Sequence, residues 1–171
     1  MTAGGILRRA YVSIGSNVDR ARYVRIAADE LRAAFGAVTF SPVYETGAVG
    51  FDGQPFYNLA AGFDTRLPPA DLVQRLKAME ARHGRSHGAA RFADRTLDLD
   101  LLLLGDCVQE RPPLPRGDIL RHAFVLRPLA DIAPDLLHPV VGRSIGELWA
   151  GFEPGGQWLR RVDFSWDEPP R

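Results

Sequence analysis

The stretch from Thr96 to Leu104 constrains the fold more than any other part of the chain. It reads TLDLDLLLL, an apolar run that contains two aspartates at alternate positions and ends at a Gly-Asp turn signal. Nine residues are short for a helix, so we predict a buried strand, although a leucine-rich run also fits a core helix segment. Since side chains alternate along a strand, the leucines Leu97, Leu99, Leu101 and Leu103 should face a core. Asp98 and Asp100 should share the opposite face, about 6.5 Å apart along the backbone.

Two neighbouring carboxylates at such a position need a counter-charge. Acidic side chains are almost never buried unless they are paired or bind a metal, and two adjacent carboxylates raise each other's pKa. A hard divalent cation that takes oxygen ligands would satisfy Asp98 and Asp100 together. We therefore predict that this pair holds Mg²⁺.

A cationic segment lies directly before the acidic strand. Residues 84–95 read GRSHGAARFADR, with three arginines among small residues. Arginine binds phosphate oxygens in a bidentate manner, and acids that hold Mg²⁺ beside arginines are the groups that phosphoryl transfer requires. The alternative is a solvated loop in which Arg91 or Arg95 pairs with the two aspartates. Spacing alone leaves both interpretations open.

Length, charge and cysteine content limit the class of protein. With 171 residues we expect a single domain over 1–171, with a loosely attached C-terminal tail from about residue 151. The formal net charge is zero, so we expect neither nucleic acid nor an anionic membrane as partner. No apolar run approaches the length of a membrane span. One cysteine, Cys107, excludes an intrachain disulfide, and we expect a cytoplasmic monomer acting on small molecules.

Hydrophobic periodicity and turn signals predict the order of the elements. The predicted elements are strands at 10–14, 37–44, 56–65 and 96–104, helices at about 20–36 and 68–83, helical pieces at 119–132 interrupted by Pro128, and a short helix at 142–149. The order strand, helix, strand, strand, helix, strand is that of a ferredoxin-like fold. We therefore predict an α+β protein whose antiparallel sheet has its helices mainly on one face. The other face is then left free for a site that includes the aspartate pair.

Several motifs together resemble one enzyme family. The segments RTLDLDLLLLG, GSN after the first strand, YET, GQPFYN and FVLRPLADIAPDLLHP are similar to those of 6-hydroxymethyl-7,8-dihydropterin pyrophosphokinases of folate biosynthesis. The likeness extends from about Tyr11 to Trp149, and Arg-Thr-Leu-Asp-Leu-Asp is its most specific motif. The resemblance implies a transfer in which the pterin hydroxymethyl oxygen attacks the β-phosphorus of ATP and AMP leaves.

The resemblance also implies the site residues. Asp98 and Asp100 match the pair that holds two Mg²⁺ ions on the ATP triphosphate, and Arg85 and Arg95 match catalytic loop arginines that clamp the phosphates. The nucleotide side comprises Lys77, Glu80, Arg85, Arg95, Leu101, Arg111, Arg116 and His122. The pterin pocket comprises Thr46, Gly47, Val49, Phe56, Asn58, Phe92 and Phe124. Phe56 and Phe124 can sandwich a flat heterocycle, and Asn58 can donate to and accept from its amide edge.

The chain departs from the family pattern mainly on the nucleotide side. Phe92 replaces a common tryptophan, Ala93-Asp94 replaces Gly-Pro, and His87 replaces a second loop arginine. Arg116 stands for a histidine, His122 for an arginine, and GQPFYN is one residue shorter than usual. These departures motivate an alternative, a non-catalytic ferredoxin-like module that binds a metal-nucleotide or another small ligand. From sequence alone, Lys77 and Glu80 also fit an ordinary surface ion pair.

Overall fold

The computed structural model describes residues 5–47, 53–84 and 96–167, which form an antiparallel sheet with helices packed on it. The strands are β1 (Arg8–Ser16), β2 (Thr39–Phe40), β3 (Tyr44–Thr46), β4 (Phe56–Thr65), β5 (Asp98–Leu104) and β6 (Leu159–Arg161). The helices are α1 (Arg20–Phe35), α2 (Pro69–Arg82), α3 (Asp118–Arg121), α4 (Ala123–Ile132) and α5 (Ile145–Ala150). The strand order is β5-β1-β4-β3-β6, with β2 also paired to β4, which confirms the predicted α+β, ferredoxin-like class. Among these helices, none is long and apolar enough to cross a membrane.

The main core lies between the sheet and the two long helices. The predicted apolar stripe of α1 is buried at Val24, Ala27 and Leu31, and α2 buries Leu72, Leu76 and Met79 in the same cluster. From the sheet side this cluster takes every second residue of β1 and β4, as the two-residue period of a strand requires. Gly36 ends α1 at φ 82°, a conformation that glycine adopts without steric cost.

A bulge in β5 reverses part of the predicted pattern. Leu97, Leu99 and Leu101 lie in the main core as predicted, but Leu102 and Leu103 both pack on the opposite side, against α4. The pairing of β5 with β1 shifts between Tyr11 and Val12, so that one residue of β5 is extra. Because an extra residue exchanges the two faces of a strand, the prediction that Leu103 faces the main core is wrong.

The second face of the sheet is only partly open. We expected it to be left free, but α4 and α5 cover its centre with a second apolar cluster that includes Leu126, Leu129 and Ile145. Asp98 and Asp100 lie at the start of β5, before the covered region, and stay partly exposed. The site predicted for this face is therefore restricted to one end of it.

Two predicted elements have different boundaries. The expected strand over 37–44 is divided into β2 and β3 at 41–43, where Pro42 has no N–H to donate to a neighbouring strand. Ser41 compensates, because its hydroxyl accepts the amide hydrogen of Ala60 at 2.8 Å. Pro128 lies inside α4, and the break between the helical pieces falls at the extended residue His122 instead.

The C-terminal segment is tied to the sheet at several points. Strand β6 pairs with β3, and a guanidinium nitrogen of Arg160 lies 2.6 Å from a carboxylate oxygen of Glu45. The amide of Val162 donates to the carbonyl of Val43 at 2.9 Å. The tail predicted to be loosely attached from about residue 151 is therefore fixed to the edge of the sheet at residues 159–162. The assignment of 1–171 to one domain stays a prediction.

Candidate active site

An acidic cluster forms where the start of β5 meets the end of α2. In the strand register, Asp98 lies opposite Gly15 and Asp100 opposite Ser13, so both aspartates project from the face that α1 and α2 do not cover. This confirms that they share one face. Glu80 of α2 joins them, and one carboxylate oxygen from each of the three residues lies within 4.8 Å of the other two. Three hard oxygen donors at this separation are suited to Mg²⁺.

Glu80 and Lys77 reach this cluster because β5 is an edge strand. The N–H of Leu99 donates to Glu80 Oε2 at 2.6 Å, and the Lys77 ammonium lies 3.5 Å from the Leu99 carbonyl oxygen. These side chains satisfy backbone groups that, within the described ranges, have no partner strand on that side. The Lys77–Glu80 ion pair of 3.2 Å exists, but the Glu80 side chain is only 3% exposed. The interpretation as an ordinary surface pair is therefore wrong.

The ionised form of the Asp100 carboxylate is disfavoured in the folded protein. Burial, followed by the negative charge of Asp98, raises the pKa of Asp100 from 3.8 to about 6. Lys77 Nζ and Arg116 Nη2 lie 3.5 and 3.8 Å from Asp100 Oδ1 and oppose this shift without cancelling it. Additional positive charge is thus favoured beside this carboxylate.

Arg116 is positioned by an acid that the sequence analysis did not identify. Its Nε lies 3.2 Å from Asp118 Oδ2, and the other oxygen of Asp118 lies 3.2 Å from Arg121. Asp118 therefore holds Arg116 next to the acidic cluster and also pairs with Arg121. No sequence signal distinguishes Asp118 from an ordinary acid at the start of a short helix.

The residues that the resemblance assigns to the pterin pocket meet across β3 and β4. Thr46 lies opposite Phe56, and the Asn58 side-chain amide donates to the Thr46 hydroxyl at 2.6 Å, with both side chains buried. Asn58 is also opposite Gly15, whose other neighbour is Asp98. The pocket and the acidic cluster thus lie two strand spacings apart, about 10 Å.

Gly15 has no side chain, which leaves space for the Asn58 amide and the Phe56 ring on the neighbouring strand β4. A Cβ at this position would lie 2.8 Å from Asn58 Oδ1 and 3.7 Å from the Phe56 ring. Any larger residue would therefore displace the Asn58 amide. Glycine is needed here because the Asn58 side chain approaches its backbone closely.

A cavity of about 510 Å³ opens next to this pair of strands. Thr46, Gly47 and Phe124 line one part of it, and residues 153–158 line another. The Phe124 ring stacks on the His122 ring with centroids 4.9 Å apart, so a residue assigned to the pterin side contacts one assigned to the nucleotide side. The structure thus brings together Thr46, Gly47 and Phe124, which the sequence analysis grouped only by resemblance.

Of the other predicted site residues, some lie outside the described residues and two described ones are not joined to either region. Arg85, Arg95, Phe92 and Val49 lie outside the described residues, as does Arg91 of the alternative ion-pair interpretation. The Leu101 side chain is buried in the main core, and among the described residues Arg111 takes no part in the ion pairs around Asp100. The roles of these residues stay predictions.

Comparison with known proteins relates the chain to one group of enzymes. Residues 11–134 match the family model of 7,8-dihydro-6-hydroxymethylpterin-pyrophosphokinase. A 2-amino-4-hydroxy-6-hydroxymethyldihydropteridine pyrophosphokinase of Pseudomonas aeruginosa is 40% identical over 85% of this chain and 92% of its own length. The enzyme of the same name from Methylorubrum extorquens is 36% identical over 92% of this chain and 100% of its own length. The crystal structure of wild-type HPPK-DHPS of Plasmodium falciparum superposes with a TM-score of 0.68 over 86% of this chain and 45% of the Plasmodium chain. At 13% sequence identity this is a similarity of fold.

Proposed function

Since the chain belongs to the 7,8-dihydro-6-hydroxymethylpterin-pyrophosphokinase family, we propose the following roles for its site in the family reaction. The reaction transfers pyrophosphate from ATP to the hydroxymethyl group of 6-hydroxymethyl-7,8-dihydropterin, releases AMP and belongs to folate biosynthesis. The observation that supports these roles most strongly is the row Asn58–Gly15–Asp98 across three strands. It separates an acceptor pocket from an acidic cluster by about 10 Å, a gap that the pterin hydroxymethyl group and the triphosphate would bridge together.

The acidic cluster is the proposed magnesium site. Asp98 and Asp100 would hold two Mg²⁺ ions together with ATP, and the carboxylate donor set fits this cation. Mg²⁺, when bound, neutralises phosphate charge and orients the triphosphate. Glu80 fixes the backbone of Leu99 between the two aspartates, so we assign it a positioning role.

The remaining residues bind and orient the two substrates. Lys77 and Arg116 supply positive charge beside the triphosphate, together with Arg85 and Arg95 of the preceding segment, and Asp118 keeps Arg116 in place. The further nucleotide-side residues are Leu101, Arg111 and His122. The pterin lies between Phe56 and Phe124 and binds Thr46 and Asn58, with Gly47, Val49 and Phe92 nearby. Catalysis then consists of positioning and charge stabilisation and requires no protein nucleophile.

We further propose a monomer of one domain that works in the cytoplasm. The zero net charge gives no general attraction to nucleic acid or to an anionic membrane. A single cysteine is consistent with a reducing compartment.

Analysis of the products by mass spectrometry tests the reaction. With MgATP and 6-hydroxymethyl-7,8-dihydropterin we expect AMP and the pterin diphosphate in equal amounts. The same pterin without its hydroxymethyl oxygen is the control, and it should yield no AMP because it has no attacking group. Formation of ADP would contradict pyrophosphate transfer, and binding of ATP without any AMP would favour the non-catalytic binding module.

Gly15→Ala is expected to raise the KM for the pterin about 10-fold, because the added methyl group displaces Asn58 from Thr46. The KM for ATP should change by less than about twofold. Steady-state kinetics with each substrate varied in turn measure both values. Gly62→Ala is the matched control, since its Cβ would meet the Tyr11 ring at 2.9 Å in the same sheet, away from Asn58. Equal effects of both variants on the pterin KM would contradict the proposed function of Gly15.

A further inference from the structure

We infer that residues 153–158 form one wall of the acceptor pocket and that Trp158 contacts the bound pterin. This inference rests on the proposed function for the other walls of the cavity, formed by Thr46, Gly47 and Phe124. Residues 153–158 line the same cavity of about 510 Å³. They follow the last helix, in a part of the chain to which neither the family match nor the sequence resemblance assigns a role.

The wall is held in place on both sides. Immediately after it, Leu159 pairs with Thr46 in the register of β6 with β3. The Gln157 side chain accepts the amide hydrogen of Ala123 at 2.7 Å and donates to the carbonyl of Arg121 at 3.0 Å. Gln157 therefore fastens the wall to the start of α4, which carries Phe124. Through these bonds the wall is attached to both β3 and the start of α4.

Trp158 lines the cavity and is not buried in the apolar core. A Cβ on Gly47 would lie 2.8 Å from the Trp158 indole nitrogen, so the indole packs directly on the backbone at Gly47. Trp158 nevertheless stays about half exposed (49%). A large apolar ring that is fixed in place and half exposed next to a cavity is suited to contact a flat heterocyclic ligand.

Trp166, in the same C-terminal segment, provides the internal comparison. Its ring packs on Phe40 and Phe164, with centroids 5.3 and 4.8 Å away, and it does not line this cavity. Both tryptophans are partly exposed and belong to the segment after α5. They differ in whether they border the pocket.

Binding and kinetics of Trp158→Ala, Trp158→Phe and Trp166→Ala test the inference. In Trp158→Ala we expect the KM for 6-hydroxymethyl-7,8-dihydropterin to rise about 10-fold and the KM for ATP to change by less than about twofold. Trp158→Phe should restore most of the affinity, because its ring retains the stacking surface, and Trp166→Ala should resemble wild type. An unchanged pterin KM in Trp158→Ala would overturn the inference.

A second measurement does not depend on turnover or on the folding of the alanine variant. In wild-type protein labelled with 5-fluorotryptophan, the ¹⁹F resonance that Trp158→Phe removes should shift on addition of 6-hydroxymethylpterin with α,β-methylene-ATP. The Trp166 resonance should stay unchanged, and an unshifted Trp158 resonance in the bound protein would overturn the inference. Wild-type protein that yields no AMP would instead contradict the proposed function, and the ¹⁹F signals would still decide whether Trp158 meets the pterin.

Discussion

Asp98→Asn and Asp100→Asn are each expected to lower the kcat for AMP formation by about 100-fold to 1000-fold, the effect of removing one preorganised electrostatic group from a transition state. Asparagine keeps the shape of the side chain but removes the negative charge that the proposed Mg²⁺ ions require. The loss should be only partly reversed by excess Mg²⁺. The measurement is AMP formation at saturating ATP and pterin over a range of Mg²⁺ concentrations.

Asp64→Asn is a suitable control for these variants. Asp64 is an exposed acid on β4 that pairs with Arg9 at 3.4 Å, far along the sheet from the acidic cluster. It should retain wild-type kcat, since it touches neither substrate region. If Asp98→Asn and Asp100→Asn behaved like Asp64→Asn, the acidic cluster would not be the metal site.

Asp100→Asn is also expected to stabilise the ligand-free protein at pH 7.5 by about 2–3 kcal/mol, because each unit of pKa shift corresponds to about 1.4 kcal/mol. The folded-state pKa of Asp100 is raised from 3.8 to about 6, so its ionised form destabilises the folded protein above pH 6. The neutral amide removes that cost. Lys77 and Arg116 keep Glu80 and Asp118 as partners in the variant, so no cation is left uncompensated. Urea unfolding of both proteins measures the difference.

The pH dependence provides an internal check on this second prediction. As the pH falls from 7 to 4, folded wild-type protein takes up a proton on Asp100 before the unfolded chain does. The stability advantage of Asp100→Asn should therefore shrink through pH 6 and vanish near pH 4. Asp64→Asn should differ from wild type by no more than about 0.5 kcal/mol throughout. A pH-independent advantage, or none at pH 7.5, would contradict the raised pKa.

The expected loss of activity and the expected gain in stability of Asp100→Asn both follow from removing the negative charge of Asp100. The carboxylate that is expected to lower stability in the ligand-free protein is the one that the proposed Mg²⁺ ions would stabilise. MgATP should accordingly raise the unfolding free energy of wild-type protein more than that of Asp100→Asn, since a ligand stabilises the state that binds it.

Much of the fold follows from local patterns in the chain. The amphipathic stripe around Val24 and Leu31 and the alternation from Leu97 to Leu101 predicted α1 and β5, because helix and strand periods are properties of neighbouring residues. The shared face of Asp98 and Asp100 follows from the same two-residue period. The pterin-side and nucleotide-side residues were grouped only by resemblance to a family, since no local rule relates Thr46 to Phe124.

The remaining features depend on how distant segments pair. Leu103 packs in the second apolar cluster because β5 has one extra residue opposite β1, and no pattern within β5 encodes the register of its partner. The hydrogen bond between Leu99 and Glu80 joins residues 19 positions apart in the sequence, and the one between Arg160 and Glu45 joins residues 115 positions apart. A sequence pattern reports which face of an element is apolar, but it does not report which elements become neighbours. For that reason the contact of Glu80 with the strand that carries the two aspartates, and the wall formed by residues 153–158, emerged only from the tertiary structure.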